Sequence, residues 1–257
     1  MSSGEYLVGI DVGGTFTDVL AYAYDDAKLL SAKVPSLPGE QWRGVLDALS
    51  ELGIAPGSVR AFVHGTTIAT NALLERKGAV TALVTTAGFR DVLEIGKGRR
   101  LVGGMFDAAW QRPLPIVPRN LRFEVPERMA ADGTAVRTLA DFDYSPLIAA
   151  LRAANVETVA VAFLNSHVNN AHEHAAAAAL ARTDLPISES AELVPERGEF
   201  ERTSTCVLNA YLTPVMVAYL QTLQSELRSR GVHAPVNIMG SNGGAMTLAA
   251  AATRCPD

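Results

Sequence analysis

The stretch Gly9-Ile10-Asp11-Val12-Gly13-Gly14-Thr15-Phe16-Thr17-Asp18 lies near the start of the chain and decides the fold prediction. Its pattern of an apolar run, two glycines and an alternating run predicts two strands joined by a tight turn. Asp11 ends the first strand. Gly13 and Gly14 let the backbone approach a bulky anion closely and expose its amide N–H groups. The pattern therefore predicts a phosphate-binding hairpin, with an ordinary Gly-Gly turn as the alternative.

The polar side chains of this hairpin indicate how a phosphate would be held. Because side chains alternate along a strand, Thr15 and Thr17 would face the phosphate together, while Phe16 would face the core. Asp11 and Asp18 would bind Mg²⁺ directly or through water, since hard cations prefer oxygen ligands. Amides, hydroxyls and a magnesium-binding acid together indicate a clamp for ATP.

The elements around the hairpin predict an α/β fold. Hydrophobic periodicity places them in the order β-β-β-α-β-α-β, with strands at 6–11, 15–24, 29–34, 61–64 and 80–85, and helices at 42–52 and 68–77. This is the order of the ribonuclease-H-like lobe of actin-like and sugar-kinase-like ATPases. A further α/β segment follows, with strands at 156–164 and 236–239. Its helical region 199–230 contains Pro214, which would break or kink it, with Thr213 as a new cap.

Composition limits the function classes. The chain has 257 residues, of which 48% are hydrophobic and 19% are charged, which is typical of a globular protein. Its net charge of −5 makes nucleic acid an unfavourable partner. The two cysteines share no metal-ligand spacing, and no signal sequence or membrane-spanning apolar run is recognisable. We therefore expect a cytoplasmic protein with no membrane segment.

A second polar group follows the strand 61–64. His64 ends this strand, and Thr66 and Thr67 begin the helix after it, where a helix N-terminus favours anions. Ligands in α/β folds also bind at the carboxyl ends of parallel strands. His64 is therefore, with Asp11, a candidate catalytic residue, and Thr66 and Thr67 are candidate phosphate contacts. A satisfied, half-buried histidine is an equally good interpretation of His64.

The loop Ser241-Asn242-Gly243-Gly244 follows the strand 236–239, as the first phosphate loop follows its own strand. It is a candidate second anion-binding loop, with a plain turn as the alternative. We interpret Arg90 with Glu94 and the histidines 167, 172 and 174 as structural or solvated. For the polar cluster at 199–204, at the start of the long helix, we favour a structural or cleft role, with a solvated first turn as the alternative. Cys206 is interpreted as a small buried residue, because no basic neighbour would lower its pKa.

The sequence resembles the hydantoinase A/5-oxoprolinase family. Five blocks carry the resemblance in family order, namely residues 8–19, 64–78, 85–96, 199–211 and 241–244. The resemblance implies ATP-dependent attack on an unreactive carbonyl. Oxoprolinases and N-methylhydantoinases open a cyclic amide, and the related acetone and acetophenone carboxylases activate a ketone. Phosphorylation of the carbonyl oxygen is the shared step, because phosphate leaves more easily than hydroxide or an amide.

The resemblance also implies parts that this sequence does not contain. Family members carry a second Asp-x-Gly-Gly-Thr-like element beyond the point where this chain stops. We therefore expect residues 5–185 to be the family's N-terminal domain and 186–257 the beginning of its hydantoinase A region. Expected partners are a small cyclic amide or ketone substrate, a hydantoinase B-type subunit or the absent C-terminal half, and a second copy of the chain. A kinase or activator ATPase of the same fold and a non-catalytic nucleotide-binding module are the rival interpretations.

Overall fold

The computed structural model describes residues 5–37, 39–97, 111, 113–240 and 243–253. The chain forms two compact units, Met1–Lys77 with Val215–Asp257 and Gly78–Pro214. The second unit is thus an insertion in the sequence of the first. The compact units do not follow the segments 5–185 and 186–257, which stay a prediction about sequence regions.

The helices and strands alternate as expected of an α/β protein. The strands are β1 (Tyr6–Val12), β2 (Phe16–Ala23), β3 (Lys28–Pro35), β4 (Val59–Thr66), β5 (Thr81–Thr86), β6 (Arg122–Val125), β7 (Arg128–Met129), β8 (Ala135–Arg137), β9 (Thr158–Ala162), β10 (Ile187–Glu189), β11 (Val236–Met239) and β12 (Ala245–Thr247). The α-helices are α1 (Gln41–Glu51), α2 (Ile68–Leu74), α3 (Val92–Ile95), α4 (Ser145–Ala153), α5 (Ala171–Leu180), α6 (Ser190–Leu193), α7 (Glu199–Ser229) and α8 (Leu248–Thr253).

The sheet of the first unit brings the two predicted site segments together. Its strand order is β12-β11-β4-β1-β2-β3. Strand β1 is antiparallel to β2 and parallel to β4, and β11 is also parallel to β4. Because β1 and β4 run in the same direction, their carboxyl ends meet, and Val12 pairs with Thr66. The turn of the hairpin and the residues after β4 therefore lie at the same edge of the sheet.

One face of this sheet is covered and the other is exposed. Helix α1 and the C-terminal part of α7 pack on the buried face, where Val45, Leu49 and Leu223 join the core formed by β1 and β2. Residues directly opposite each other in neighbouring strands share a face. Thr17 pairs with Val12 and is fully buried, whereas Phe16 is 45% exposed. The predicted orientation of these two side chains is therefore wrong.

The second unit contains a four-stranded sheet in the order β10-β9-β5-β6, parallel throughout. All six residues of β5 are buried, so the predicted strand at 80–85 is confirmed. Its expected place is wrong, because the strand next to β4 in the first unit is β11. A run buried on both faces indicates a parallel strand but not which sheet it joins.

Helix α7 is continuous from Glu199 to Ser229, with Pro214 inside it. Thr213 is not a cap, since its hydroxyl donates back to the Asn209 carbonyl at 2.7 Å within the helix. The helix is long and apolar enough to cross a membrane by length and composition alone, but half of its most apolar window is buried inside the protein. Buried Arg202 and Asn209 both have hydrogen-bond partners. These features are those of a core helix.

Candidate functional site

An open cavity of about 1020 Å³ lies on the first unit, and strands β1 to β4 contribute most of its lining. Four of the predicted site residues line it, namely Asp11, Asp18, Thr66 and Thr67. Other predicted site residues of the described chain are not part of the lining, namely Gly13, Gly14, Thr15, Thr17, His64, Gly243 and Gly244. The lining also includes Lys33 and Met239, which the sequence analysis missed.

Asp11 and Asp18 occupy opposite positions on the hairpin. They are paired across β1 and β2, so both lie on the exposed face of the sheet. Lys33 donates to both carboxylate oxygens of Asp18, at 3.0 and 3.1 Å, and its ammonium group lies 5.1 Å from the centre of the Phe16 ring. Asp18 therefore already has a cationic partner. Among the described residues, no group of three or more histidine, cysteine or acidic side chains is arranged to hold a metal.

Gly65 gives the Asp11 carboxylate its place in the cavity. Gly65 pairs with Asp11 in the parallel register of β4 and β1. A Cβ atom on Gly65 would lie 3.2 Å from Asp11 Oδ1, which is tighter than an ordinary contact. A larger residue at this position would therefore displace the carboxylate. The close approach of the Asp11 carboxylate explains why a glycine follows His64, and the sequence pattern did not reveal this contact.

The turn of the hairpin is closed by its own backbone. The Gly13 N–H donates to the Phe16 carbonyl at 3.0 Å, and a Cβ on Gly13 would lie 3.1 Å from that oxygen. Thr15 is exposed, and its carbonyl accepts from the Ser36 N–H at 2.9 Å. One of the two glycine amides is therefore engaged inside the turn. The phosphate-binding role of Gly13, Gly14 and Thr15 stays a prediction.

Thr17 lies in the interior of the first unit and not at the cavity. Its hydroxyl lies 2.9 Å from the Ser36 hydroxyl, and both groups are buried. A Cβ on Gly44 would lie only 2.7 Å from Thr17 Oγ1, so the glycine lets α1 pack closely against β2. The predicted contact between Thr17 and a phosphate is therefore replaced by an interior hydrogen bond. The reason is the register, which places Thr17 on the same face as Val12.

Thr66 and Thr67 lie where β4 ends and the short helix α2 begins. The Thr66 hydroxyl accepts from the Ile68 N–H at 3.3 Å. The Thr67 N–H donates to the Val12 carbonyl at 3.3 Å, which ties the end of β4 to the end of β1. Asn71 donates to the Thr67 hydroxyl at 3.3 Å. Thr66 is partly buried and Thr67 is exposed, and both line the cavity, while their contact with a phosphate stays a prediction.

His64 lies inside the first unit. It is fully buried, and burial lowers its pKa to about 4, so the ring is neutral at ordinary pH. Its Nε2 atom lies 2.6 Å from the hydroxyl of Tyr219 on α7. The predicted contact between His64 and a substrate or phosphate is not present in the cavity lining, because alternation along β4 places His64 on the face opposite Gly65. Tyr219 is a further residue that the sequence analysis missed.

The described residues on either side of Ser241 and Asn242, after β11, are joined by backbone hydrogen bonds. The Gly240 N–H donates to the Gly244 carbonyl at 2.8 Å, and Gly243 has a φ of +79°, which favours glycine. Gly240, and not Gly243 or Gly244, lines the cavity. Ser241 and Asn242 lie outside the described residues. The role of this loop in anion binding stays a prediction.

The second unit contains a buried ion network that the sequence analysis missed. Arg202 and Glu173 are almost fully buried, which agrees with a structural role for Arg202 and excludes the alternative of a solvated side chain. Ser190 links them, donating to Glu173 Oε1 at 2.6 Å and accepting from Arg202 Nε at 2.9 Å. Burial raises the pKa of Glu173 and lowers that of Arg202. Two backbone amides, from Phe163 and Ala191, also donate to the carboxylate.

Other polar sets of the second unit are also structural. Asp91 binds Arg119 through two hydrogen bonds, and Glu94 contacts the buried Arg122 at 3.0 Å. His172 lies 2.7 Å from the buried carboxylate of Glu127. Cys206 is fully buried, and burial raises the pKa of its thiol, which agrees with the interpretation that it is not a nucleophile.

Known proteins are similar in sequence to this chain along nearly its whole length. The chain is 35% identical to the caprolactamase subunit alpha of Pseudomonas jessenii over 95% of its residues, and 31% identical to the acetophenone carboxylase gamma subunit of Aromatoleum aromaticum over 94%. The crystal structure of the ATP-dependent caprolactamase from Pseudomonas jessenii superposes with a TM-score of 0.83 at 33% identity, over 93% of this chain. The chain spans 36% of the length of each of these relatives.

Two family models match consecutive parts of the chain. Residues 7–184 match the hydantoinase/oxoprolinase N-terminal region, and residues 202–256 match the hydantoinase/oxoprolinase model. The first match alone covers more than half of the chain. The observed α/β fold agrees with that of the caprolactamase structure. The chain belongs to the hydantoinase/oxoprolinase family.

Proposed function

We propose that the first unit binds the phosphate groups of ATP with Mg²⁺, as part of an ATP-dependent enzyme that opens a cyclic amide. The observation that carries this proposal is the meeting of Asp11 with Thr66 and Thr67 in one large cavity at the edge of the sheet. A carboxylate beside two hydroxyls is a donor set that fits a magnesium-bound phosphate. The solved relative is described as an ATP-dependent caprolactamase, which supports the same nucleotide here.

The strand order supports a nucleotide-binding lobe. In the run β11-β4-β1-β2-β3, only β2 is reversed, and β1 lies at the centre. This is the arrangement expected of the ribonuclease-H-like lobe of actin-like and sugar-kinase-like ATPases. In the proposed complex the hairpin would contact the phosphates, and Asp11 would bind Mg²⁺ directly or through water. Asp18 would orient the ammonium group of Lys33, because these two side chains are already paired.

ATP would supply the phosphoryl group that turns the carbonyl oxygen of the substrate into a better leaving group. This chain's own residues would bind and orient the phosphates. Lys33 lines the cavity and would contribute a positive charge to the bound nucleotide. Hydantoins, 5-oxoproline and larger lactams are all substrates of the proposed class.

We further propose that the complete enzyme contains a partner subunit or an additional lobe, and that it acts in the cytoplasm. The matched relatives are named as subunits, and each is longer than this chain. The exposed face of the first sheet carries large apolar side chains, among them Leu7, Leu20, Tyr22 and Leu29. An apolar surface of this kind supports association with a partner or a second copy.

A ketone carboxylase subunit is the second candidate function. The observation that supports it is the similarity to the acetophenone carboxylase gamma subunit. That identity is 31%, only slightly below the 35% to the caprolactamase subunit. Both candidates use the same cavity for ATP. ATP-dependent phosphate release in the presence of a lactam or of a ketone with bicarbonate separates them. The third outcome is that the chain binds ATP but releases no phosphate with either substrate, as a non-catalytic nucleotide-binding module would.

Isothermal titration of the chain with ATP and Mg²⁺ tests the nucleotide site. We expect Asp11→Asn to weaken binding by about tenfold to hundredfold, because it removes a charge-assisted contact without changing the size of the side chain. With EDTA in place of Mg²⁺, the difference between wild type and variant should largely disappear. Asp25→Asn is the matched control, because Asp25 is exposed in the turn between β2 and β3, at the end of β2 that lies away from Asp18. Equal affinities of wild type and Asp11→Asn would exclude the proposed site.

A further inference from the structure

Two neighbouring rows of residues form the floor of the cavity on the exposed face of the first sheet. The register of β4, β1, β2 and β3 places in one row, which we call the charged row, Gly65, Asp11, Asp18 and Lys33. The same register places in the next row, which we call the neutral row, Val63, Gly9, Leu20 and Ser31. Every member of both rows lines the cavity. Residues two apart on a strand are separated by about 7 Å, so the neutral row lies directly beside the proposed phosphate site.

Gly9 lies in the neutral row, and neither its backbone nor its packing requires a glycine. Its backbone has the extended conformation of β1, without a positive φ. Within the described part of the chain, a Cβ on Gly9 would come within 4 Å of the Leu20 carbonyl oxygen alone, at 3.9 Å, which is an ordinary contact. Glycine weakens the interior of a strand relative to alanine, and it occurs there where a ligand or another backbone approaches closely. We therefore expect the group that requires Gly9 to lie outside this chain, above the neutral row.

The shape and charge of the neutral row fit a flat, uncharged ring. Val63 and Leu20 flank Gly9 on the two neighbouring strands, so these aliphatic side chains are separated by about 10 Å across an open glycine. The neutral row has no ionisable side chain. Among the described lining residues, Lys33 is the one cation, and it is paired with Asp18. A carboxylate on the ring would therefore lose its water without gaining a cationic partner.

We propose that the neutral row binds the substrate ring, that this ring is an uncharged cyclic amide, and that Gly9 determines the specificity by leaving room for it. This inference rests on the proposed function, since the ring lies beside bound phosphates only if the charged row holds them. The amide carbonyl would face the charged row, and the CH₂ groups of the ring would lie between Val63 and Leu20. A lactam without a carboxylate is therefore preferred over 5-oxoproline.

Methyl ¹H–¹³C correlation spectra of the wild-type chain with Mg²⁺ and a non-hydrolysable ATP analogue test this subsite. The two probes are 2-pyrrolidinone and 5-oxoproline, which have the same ring and differ in the carboxylate. We expect 2-pyrrolidinone to shift the methyl signals of Leu20 and Val63, which are assigned with Leu20→Ile and Val63→Ile. We expect 5-oxoproline to bind at least about tenfold more weakly. Equal or tighter binding of 5-oxoproline, or methyl signals that do not shift with 2-pyrrolidinone, would overturn the proposal.

Substitutions of Gly9 separate the ring subsite from the phosphate site. Gly9→Ala and Gly9→Val place carbon atoms where the ring would lie, so we expect progressively weaker binding of 2-pyrrolidinone, by about tenfold or more for Gly9→Val. The affinity for the ATP analogue should fall less, because Gly9 is not in the charged row. The Tm of both variants should equal or exceed that of the wild type, since glycine weakens a strand interior. Unchanged 2-pyrrolidinone binding by Gly9→Val, a larger loss for the nucleotide, or a lowered Tm would overturn the role of Gly9.

The matched control is Gly57→Val, because a Cβ on Gly57 would have no described atom within 4 Å and Gly57 does not line the cavity. We expect it to bind 2-pyrrolidinone and the nucleotide as the wild type does. Competition between the ATP analogue and 2-pyrrolidinone for the Leu20 and Val63 methyl groups would place the nucleobase in the neutral row and overturn the proposal. The spectra are also recorded without nucleotide. If the analogue does not bind, the proposed function fails, whereas the methyl response to 2-pyrrolidinone still decides the ring subsite.

Discussion

Replacement of Gly44 by alanine tests how closely α1 packs against the hairpin. The new Cβ would lie 2.7 Å from Thr17 Oγ1 and 3.2 Å from Thr17 Cβ. Thr17 cannot simply turn away, because its side chain is fully buried and its hydroxyl is bonded to Ser36. Either α1 moves away from β2, or the Thr17–Ser36 hydrogen bond breaks.

The expected magnitude follows from three contributions. Overpacking of a buried contact costs about 1–3 kcal/mol. Loss of the Thr17–Ser36 hydrogen bond costs about 0.5–1.5 kcal/mol. Alanine is better than glycine inside a helix by about 0.5–1 kcal/mol, which offsets part of this. We therefore expect Gly44→Ala to lower the free energy of unfolding by about 0.5–4 kcal/mol and the Tm by about 1–16 °C.

Urea unfolding followed by circular dichroism measures this free energy, and a thermal scan measures the Tm. The matched variant is Gly44→Ala combined with Thr17→Ala, which removes the hydroxyl and methyl groups that the new Cβ would meet. In that background the added effect of Gly44→Ala should shrink toward zero or become stabilising. A Gly44→Ala single variant more stable than wild type would refute the packing argument, since helix propensity alone would then dominate.

Three further predictions concern the interior of the two units. Arg202→Met leaves the buried carboxylate of Glu173 without its cation, and it should lower the free energy of unfolding by about 3–5 kcal/mol in urea titrations; an effect below about 1 kcal/mol would contradict this. Gly78→Ala places a Cβ within the ring of Tyr211, so it should destabilise the chain by about 1–3 kcal/mol or more, and an unchanged Tm would count against the observed packing. Because the pKa of His64 falls from 6.5 to about 4 on folding, the unfolded chain binds the extra proton first, and stability should drop by roughly 3 kcal/mol as pH falls from 6.5 to 4. His64→Gln should remove this part of the pH dependence, and identical pH profiles for the two proteins would show that the histidine does not titrate differently on folding.

The candidate site was predictable where a residue's role depends on its local pattern. Asp11 lies near the end of an apolar run before two glycines, and Thr66 and Thr67 lie where the next parallel strand ends, so their meeting at one edge of the sheet could be predicted from spacing alone. Thr17 was assigned to the wrong face, because its orientation depends on how many residues the turn takes. The observed pairing of Val12 with Thr17 fixes that number.

Residues that reach the site from distant parts of the chain could not be predicted. Lys33 enters the cavity because β3 pairs with β2, and Tyr219 reaches His64 across 155 positions of sequence. Neither residue belongs to a sequence motif that predicts ligand binding. The burial of Arg202 could not be predicted for a similar reason, since Glu173, to which Ser190 links it, lies on another helix.

The sequence by itself determined the family, the α/β class and the hairpin, because each depends on residues that are neighbours along the chain. Glycines, strand-end acids and alternating apolar residues act within a few positions, and five such blocks in order are highly specific. The tertiary structure alone decided which sheet each buried strand joined, which hydroxyls face the cavity, and why His64 is neutral. Those features depend on strand register and burial, and both are set by contacts between residues that are far apart in sequence.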